Sequence, residues 1–161
     1  MDCRNDQRDV PTLPLLAVLA AVAACAPKYH TAAPYRFDPA NARDVVAEAI
    51  EHCRESSPEE TALPPKPFVT DGCSSWPDGV WQRCCVEHDM RYWCGGTRAQ
   101  RREADAALRT CVAASPGFGV SVVAPIMRAG VAIGGAPCWP FYWRWGYGHP
   151  WPRGYRREDP R

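Results

Sequence analysis

The segment Cys84-Cys85-Val86-Glu87-His88-Asp89-Met90-Arg91-Tyr92 gathers an imidazole, two carboxylates, a phenol and two cysteines within nine residues. On a helix turning about 100° per residue, His88 shares a face with Trp81, Cys84, Cys85 and Tyr92. An imidazole on so aromatic and sulfur-rich a face is half-buried, where its protonation is open to tuning. Asp89 follows Cys85 by four residues, so it lies on the same stripe beside His88.

Asp105 is a second anomaly. On a helix it falls within about 60° of Leu108 and Val112, which turns a carboxylate along the buried side. An unpaired carboxylate is costly to bury, and two kinds of partner fit this one. An imidazole N–H would satisfy it, fix the tautomer and leave the other ring nitrogen as a base. A neighbouring guanidinium, Arg101 or Arg109, would satisfy it with no chemical consequence.

Thr70-Asp71-Gly72-Cys73-Ser74-Ser75-Trp76-Pro77-Asp78-Gly79 is a turn-rich loop with two carboxylates. Were Cys73 bonded to Cys85, the loop would bring the Asp71 carboxylate and the Gly72 carbonyl close to Asp89. Such hard oxygen donors suit Ca²⁺ completed by water and do not suit Zn²⁺. Gly72 would let the backbone approach the ion closely.

These groups have to be positioned by helices. Asp38 is a good N-cap, Pro39 suits the first helical position, and Ala42, Val45, Val46, Ala49, Ile50 and Cys53 recur at helical spacing until Ser56-Ser57-Pro58. A loop with four prolines covers 58–69. The second helix is expected from about Val80 to Trp93, ending at Gly95-Gly96. Thr97 and Gln100 have capping-box spacing and open a third helix, expected to run to about Ala114 before Pro116. Residues 116–137 are apolar, but five glycines, Pro125 and Arg128 favour a helix packed on the others over a membrane span. The expected fold is all-α: a small disulfide-stapled helical domain with two antiparallel active-site helices and long Pro/Gly-rich loops.

The chain's 161 residues have room for one domain, and 46% hydrophobic residues allow a packed core. Its formal charge of +1 gives no field that would draw in nucleic acid. Nine cysteines point to an oxidising compartment. Leu15 to Ala24 is an unbroken apolar run, too short for a membrane span of about 20 residues and suited to a signal peptide. It stops at Val22-Ala23-Ala24-Cys25, which resembles a bacterial lipoprotein box. The expected organisation is a signal at 1–24, a tether at 25–37 and a domain at 38–161, lipid-anchored through Cys25 in the bacterial envelope (periplasmic face) or secreted. An uncleaved signal with an ordinary cysteine is the alternative, and it too exports the chain.

Cys84-Cys85-x-x-His88-Asp89-x-x-Tyr92 resembles the active-site helix of the secreted phospholipases A2. Asp71-Gly72-Cys73 followed by Pro77-Asp78 is similar to the calcium loop of that superfamily's compact bacterial and fungal branch. Arg101-x-x-x-Asp105-x-x-Leu108 is similar to the helix carrying the branch's second catalytic aspartate. The resemblance covers 70–111, and the animal enzymes' glycine-rich calcium loop is absent. It implies His88 as the base that activates water, Asp105 as its orienting partner and Tyr92 as a hydrogen-bond donor to Asp105. It implies Asp71, the Gly72 carbonyl and Asp89 as ligands of Ca²⁺, and a phospholipid membrane as the partner. It also implies the disulfide Cys73–Cys85, with Cys84–Cys111 by analogy with the animal enzymes.

Three function classes follow. The first is a calcium-dependent hydrolase of the sn-2 ester of glycerophospholipids. The second is a catalytically inactive envelope lipoprotein of that kind, binding lipid or a protein partner. A peptidoglycan or protein hydrolase is weaker, for want of a paired nucleophile or zinc spacing. Setting aside Cys3 and Cys25 leaves seven cysteines, an odd number. The tail at 138–161 is dense in Trp and Tyr, which suits either a membrane interface or a cover over the core of a small domain.

Overall fold

The computed structural model describes residues 39–56, 63–64, 67–74, 76–135 and 147. The expected signal, the tether, the Asp38 cap, Cys138 and the aromatic tail other than Tyr147 lie outside the described residues. The elements within them are four helices: α1 (Pro39–Ser56), α2 (Gln82–Cys94), α3 (Arg98–Ala114) and α4 (Val120–Gly134). The described residues are thus all-α, a small helical domain held by disulfides, as the sequence pattern predicts.

Helix boundaries follow local chemistry. Pro39 opens α1. α2 starts two residues later than the expected Val80, because Val80 and Trp81 form a turn in which the Gln82 N–H donates to the Gly79 carbonyl at 3.0 Å. Gly95 and Gly96 then reverse the chain with φ of 70° and 148°, backbone that favours glycine. The capping box forms: the Gln100 N–H donates to Thr97 Oγ1 at 3.2 Å, and the Thr97 N–H to Gln100 Oε1 at 2.8 Å. α4 accommodates Pro125 in its interior; the Ser121 carbonyl that Pro125 cannot engage belongs to an exposed residue.

α2 and α3 are antiparallel, in contact at Cys84–Cys111 at one end, His88–Asp105 midway and Tyr92–Arg101 at the other. α1 closes one side of α2 through Val45, Ala49, Cys53, Val86, Met90 and Trp93, with Phe68 edge-on to Trp93. On the other side Cys84, Cys85, Leu108, Val112, Ala124 and Met127 join α2, α3 and α4. Among the described residues no helix is long and apolar enough to cross a membrane.

Among the described residues three disulfides brace this core. Cys73–Cys85 and Cys84–Cys111 are the two that were expected, and Cys53–Cys94, joining the ends of α1 and α2, is an addition. Cys53–Cys94 spans the longest sequence separation, 41 residues, against 12 for Cys73–Cys85. Chain-entropy reasoning gives about 4 kcal/mol for the former and about 3 kcal/mol for the latter. Cys53→Ala/Cys94→Ala is therefore expected to lose about 4 kcal/mol in non-reducing urea denaturation. A loss below about 1 kcal/mol would show that this bridge does little to restrict the unfolded chain.

Candidate active site

Helical spacing aligns four side chains between α2 and α3. His88 and Tyr92 stand one turn apart on α2, Arg101 and Asp105 one turn apart on α3, and all four are buried. His88 Nε2 lies 3.0 Å from Asp105 Oδ1, and the Tyr92 hydroxyl donates to the same oxygen at 2.7 Å. Arg101 Nε donates to Tyr92 Oη at 3.1 Å and sits 3.9 Å from Asp105 Oδ2. Both kinds of partner that the sequence left open for Asp105 are therefore engaged, while Arg109 is exposed. Burial, then the charge of Asp105, holds the Tyr92 phenol well above its ordinary pKa, so it remains an O–H donor.

With an ionised Asp105 as acceptor, Nε2 carries the imidazole proton and Nδ1 keeps its lone pair. Nδ1 makes no hydrogen bond among the described residues. The imidazole rests against the Tyr92 ring, centroids 4.2 Å apart, and Tyr147 meets Tyr92 edge-on at 5.2 Å. Arg101 also reaches α4, donating from one terminal nitrogen to the carbonyls of Val131 at 3.2 Å and Ala132 at 2.6 Å. Gly135 lies tight under this network, where a Cβ would collide with the Tyr92 hydroxyl and the Val131 carbonyl.

The neighbouring residue on α2 faces the loop instead. Asp89 is buried, and its Oδ2 accepts from Thr70 Oγ1 at 2.6 Å. Thr70 Oγ1 in turn accepts from the Gly72 N–H at 3.1 Å. Gly72 takes φ of 78°, and a Cβ there would come within 2.5 Å of Asp78 Oδ1. That oxygen accepts from the Cys73 N–H at 3.0 Å, and Ser74 Oγ donates to Asp71 Oδ1 at 2.5 Å. Thr70 thus links Asp89 to the Gly72 backbone of the stapled turn, and Asp78 braces that turn through the Cys73 N–H.

This cluster is electrostatically unbalanced. Burial, followed by the charges of Asp71 and Asp78, pushes the Asp89 carboxyl well above the ordinary carboxylate range, against the Thr70 hydrogen bond. Burial and the Asp78 charge also raise Asp71, opposed by the hydrogen bond from Ser74. Neither carboxylate has a cationic side chain beside it among the described residues. Carboxyls whose ionisation is disfavoured by burial and by a neighbouring carboxylate fit a hard divalent cation. The described residues hold no group of three His, Cys, Asp or Glu spaced for a metal, so a cation here would need the Gly72 carbonyl and water as well.

Three contributors were not assigned a role from the sequence. Thr70 and Asp78 are polar residues of a turn, whose partners depend on how the Cys73–Cys85 bridge folds the loop. In the sequence Arg101 stands as a rival to His88 for Asp105 and as the head of the Arg-x-x-x-Asp motif, whereas in the structure it also ties Tyr92 and α4 into one network.

The raised aspartates set a pH dependence. A carboxyl whose folded pKa exceeds its unfolded value favours folding while protonated; that stabilisation is present below the ordinary aspartate range and is lost as pH rises through the raised value. In chelator, the thermal midpoint is expected to fall across this window, and Asp89→Asn to flatten the fall. Millimolar Ca²⁺ is expected to restore the midpoint at neutral pH by binding the folded state. An Asp89→Asn profile parallel to wild type would refute this account.

Comparison of the chain with protein-family models, with curated proteins and with solved structures found no match.

Proposed function

We propose that the protein is a calcium-dependent, phospholipase A2-like hydrolase that cleaves the sn-2 ester of glycerophospholipids with water activated by His88. The observation that carries this reading is the buried 3.0 Å contact between His88 Nε2 and Asp105 Oδ1, with the next residue, Asp89, turned toward the stapled loop. A base and a cluster of hard oxygen donors on consecutive residues are what ester hydrolysis beside a phosphate requires.

His88 Nδ1 takes a proton from water, and the hydroxide attacks the ester carbonyl. Asp105 keeps the imidazole in the required tautomer and stabilises the imidazolium that forms. Tyr92 and Arg101 hold Asp105 in place. His88 then returns the proton to the departing lysophospholipid alkoxide, and the acyl group leaves as a fatty acid. Asp71, the Gly72 carbonyl and Asp89 would hold Ca²⁺, which when bound supplies positive charge for the substrate phosphate and the developing oxyanion. Cys84 and Cys85, the cysteines nearest His88 in sequence, are both in disulfides and offer no nucleophile for an acyl-enzyme. The three disulfides among the described residues accord with the exported location read from the signal and Cys25, the bacterial envelope or beyond.

Hydrolysis of a mixed-chain phosphatidylcholine tests the proposal. Release of the sn-2 fatty acid is expected with Ca²⁺ and not with chelator, and His88→Gln and Asp89→Lys are each expected to lower it by at least about a hundredfold. Chelator-insensitive turnover, or full activity in His88→Gln, would overturn it.

A further inference from the structure

We propose that the loop carrying Phe118 and the first half of α4 form the surface by which the protein seats on an anionic lipid bilayer. This deepens the hydrolase reading and rests on it for the class of partner.

The surfaces of the helices differ in kind. α1 exposes Arg43, Asp44, Glu48, Glu51, Arg54 and Glu55, and α3 exposes Arg102, Glu103 and Arg109, as water-facing helices should. α4 exposes only Ser121, Val122, Ile126 and Gly130, without a charge among them. Ahead of it, Phe118 is fully exposed at 108% and Val122 at 63%, and Val80 from the start of α2 is also exposed. Val80 borders the loop: a Cβ on Gly117 would stand 4.0 Å from Val80 Cγ2. Gly117 and Gly119 flank the phenylalanine with φ of 137° and 83°, conformations that glycine adopts freely, and so shape a narrow tip around one large apolar ring.

Charge selects the occupant. No Asp or Glu occurs between Asp105 and Glu158, whereas Arg109, Arg128, Arg144, Arg153, Arg156 and Arg157 do. The apolar tip therefore belongs to a segment with nothing in its sequence to repel phosphate headgroups and several guanidiniums to attract them. An exposed aromatic apex and an uncharged helix face in a cationic segment suit shallow insertion into an anionic headgroup layer.

The test uses the full chain with Cys25→Ser and His88→Gln, so that neither acylation nor turnover intervenes. Sedimentation with vesicles of pure phosphatidylcholine or of phosphatidylcholine with phosphatidylglycerol reads binding directly. Stronger binding to the anionic vesicles is expected, reduced about tenfold or more by Phe118→Asp/Val122→Asp. With His88 intact, the same double variant should retain hydrolysis of a short-chain phospholipid below its micellar concentration and lose it on vesicles. Unchanged vesicle binding in the double variant would overturn the proposal, as would a wild-type dimer that the double variant converts to monomer. Wild-type binding without any hydrolysis would instead overturn the catalytic reading while leaving this surface in place.

Discussion

Asp105 is a carboxylate in the interior of a small domain, and the structure is organised around making that tolerable. A buried carboxylate costs several kcal/mol unless its oxygens are paired, and here donors arrive from two helices. His88 and Tyr92 share one oxygen, and Arg101 stands beside the other. The same guanidinium holds two carbonyls near the end of α4, so α2, α3 and α4 meet through a single charge. Removing any of these donors leaves a charge without its full complement, and so the network tends to be complete or absent.

α2 divides labour between adjacent residues. His88 looks across to α3 while Asp89 looks to the loop, a separation that follows from the rotation of about 100° per helical residue. The imidazole and the oxygen cluster are thus close in sequence yet electrostatically distinct. The first is surrounded by donors that neutralise Asp105. The second is a set of carboxyls raised first by burial and then by neighbouring charge, which the hydrogen bonds from Thr70 and Ser74 only partly offset.

Much of the architecture was legible because it is written in short-range chemistry. Pro39, the Thr97–Gln100 box, the Gly95-Gly96 break and the apolar run before Gly134 each act within a few residues of themselves, and they place the four helices. The inward turn of Asp105 was legible from its spacing to Leu108 and Val112. What was not legible depends on tertiary contact. Cys53–Cys94 requires knowing that α1 packs along α2, and cysteine spacing alone does not specify the pairing. Thr70 and Asp78 acquire partners only once the loop is bridged. Arg101 and His88 looked like alternatives in sequence, whereas in three dimensions Asp105 has two oxygens and room for both.

Cys84 and Cys85 are adjacent, yet their bridges run to different places, one to α3 and the other to the loop before α2. Sulfurs on neighbouring helical residues depart in directions about 100° apart. Two tethers leaving one point at such an angle act like guy-ropes on a mast: the helix can neither roll about its axis nor slide along it. The azimuth of α2 is therefore a covalent property. Apolar packing need not fix it alone, and the positions one turn further on are left to carry the polar groups of His88 and Asp89.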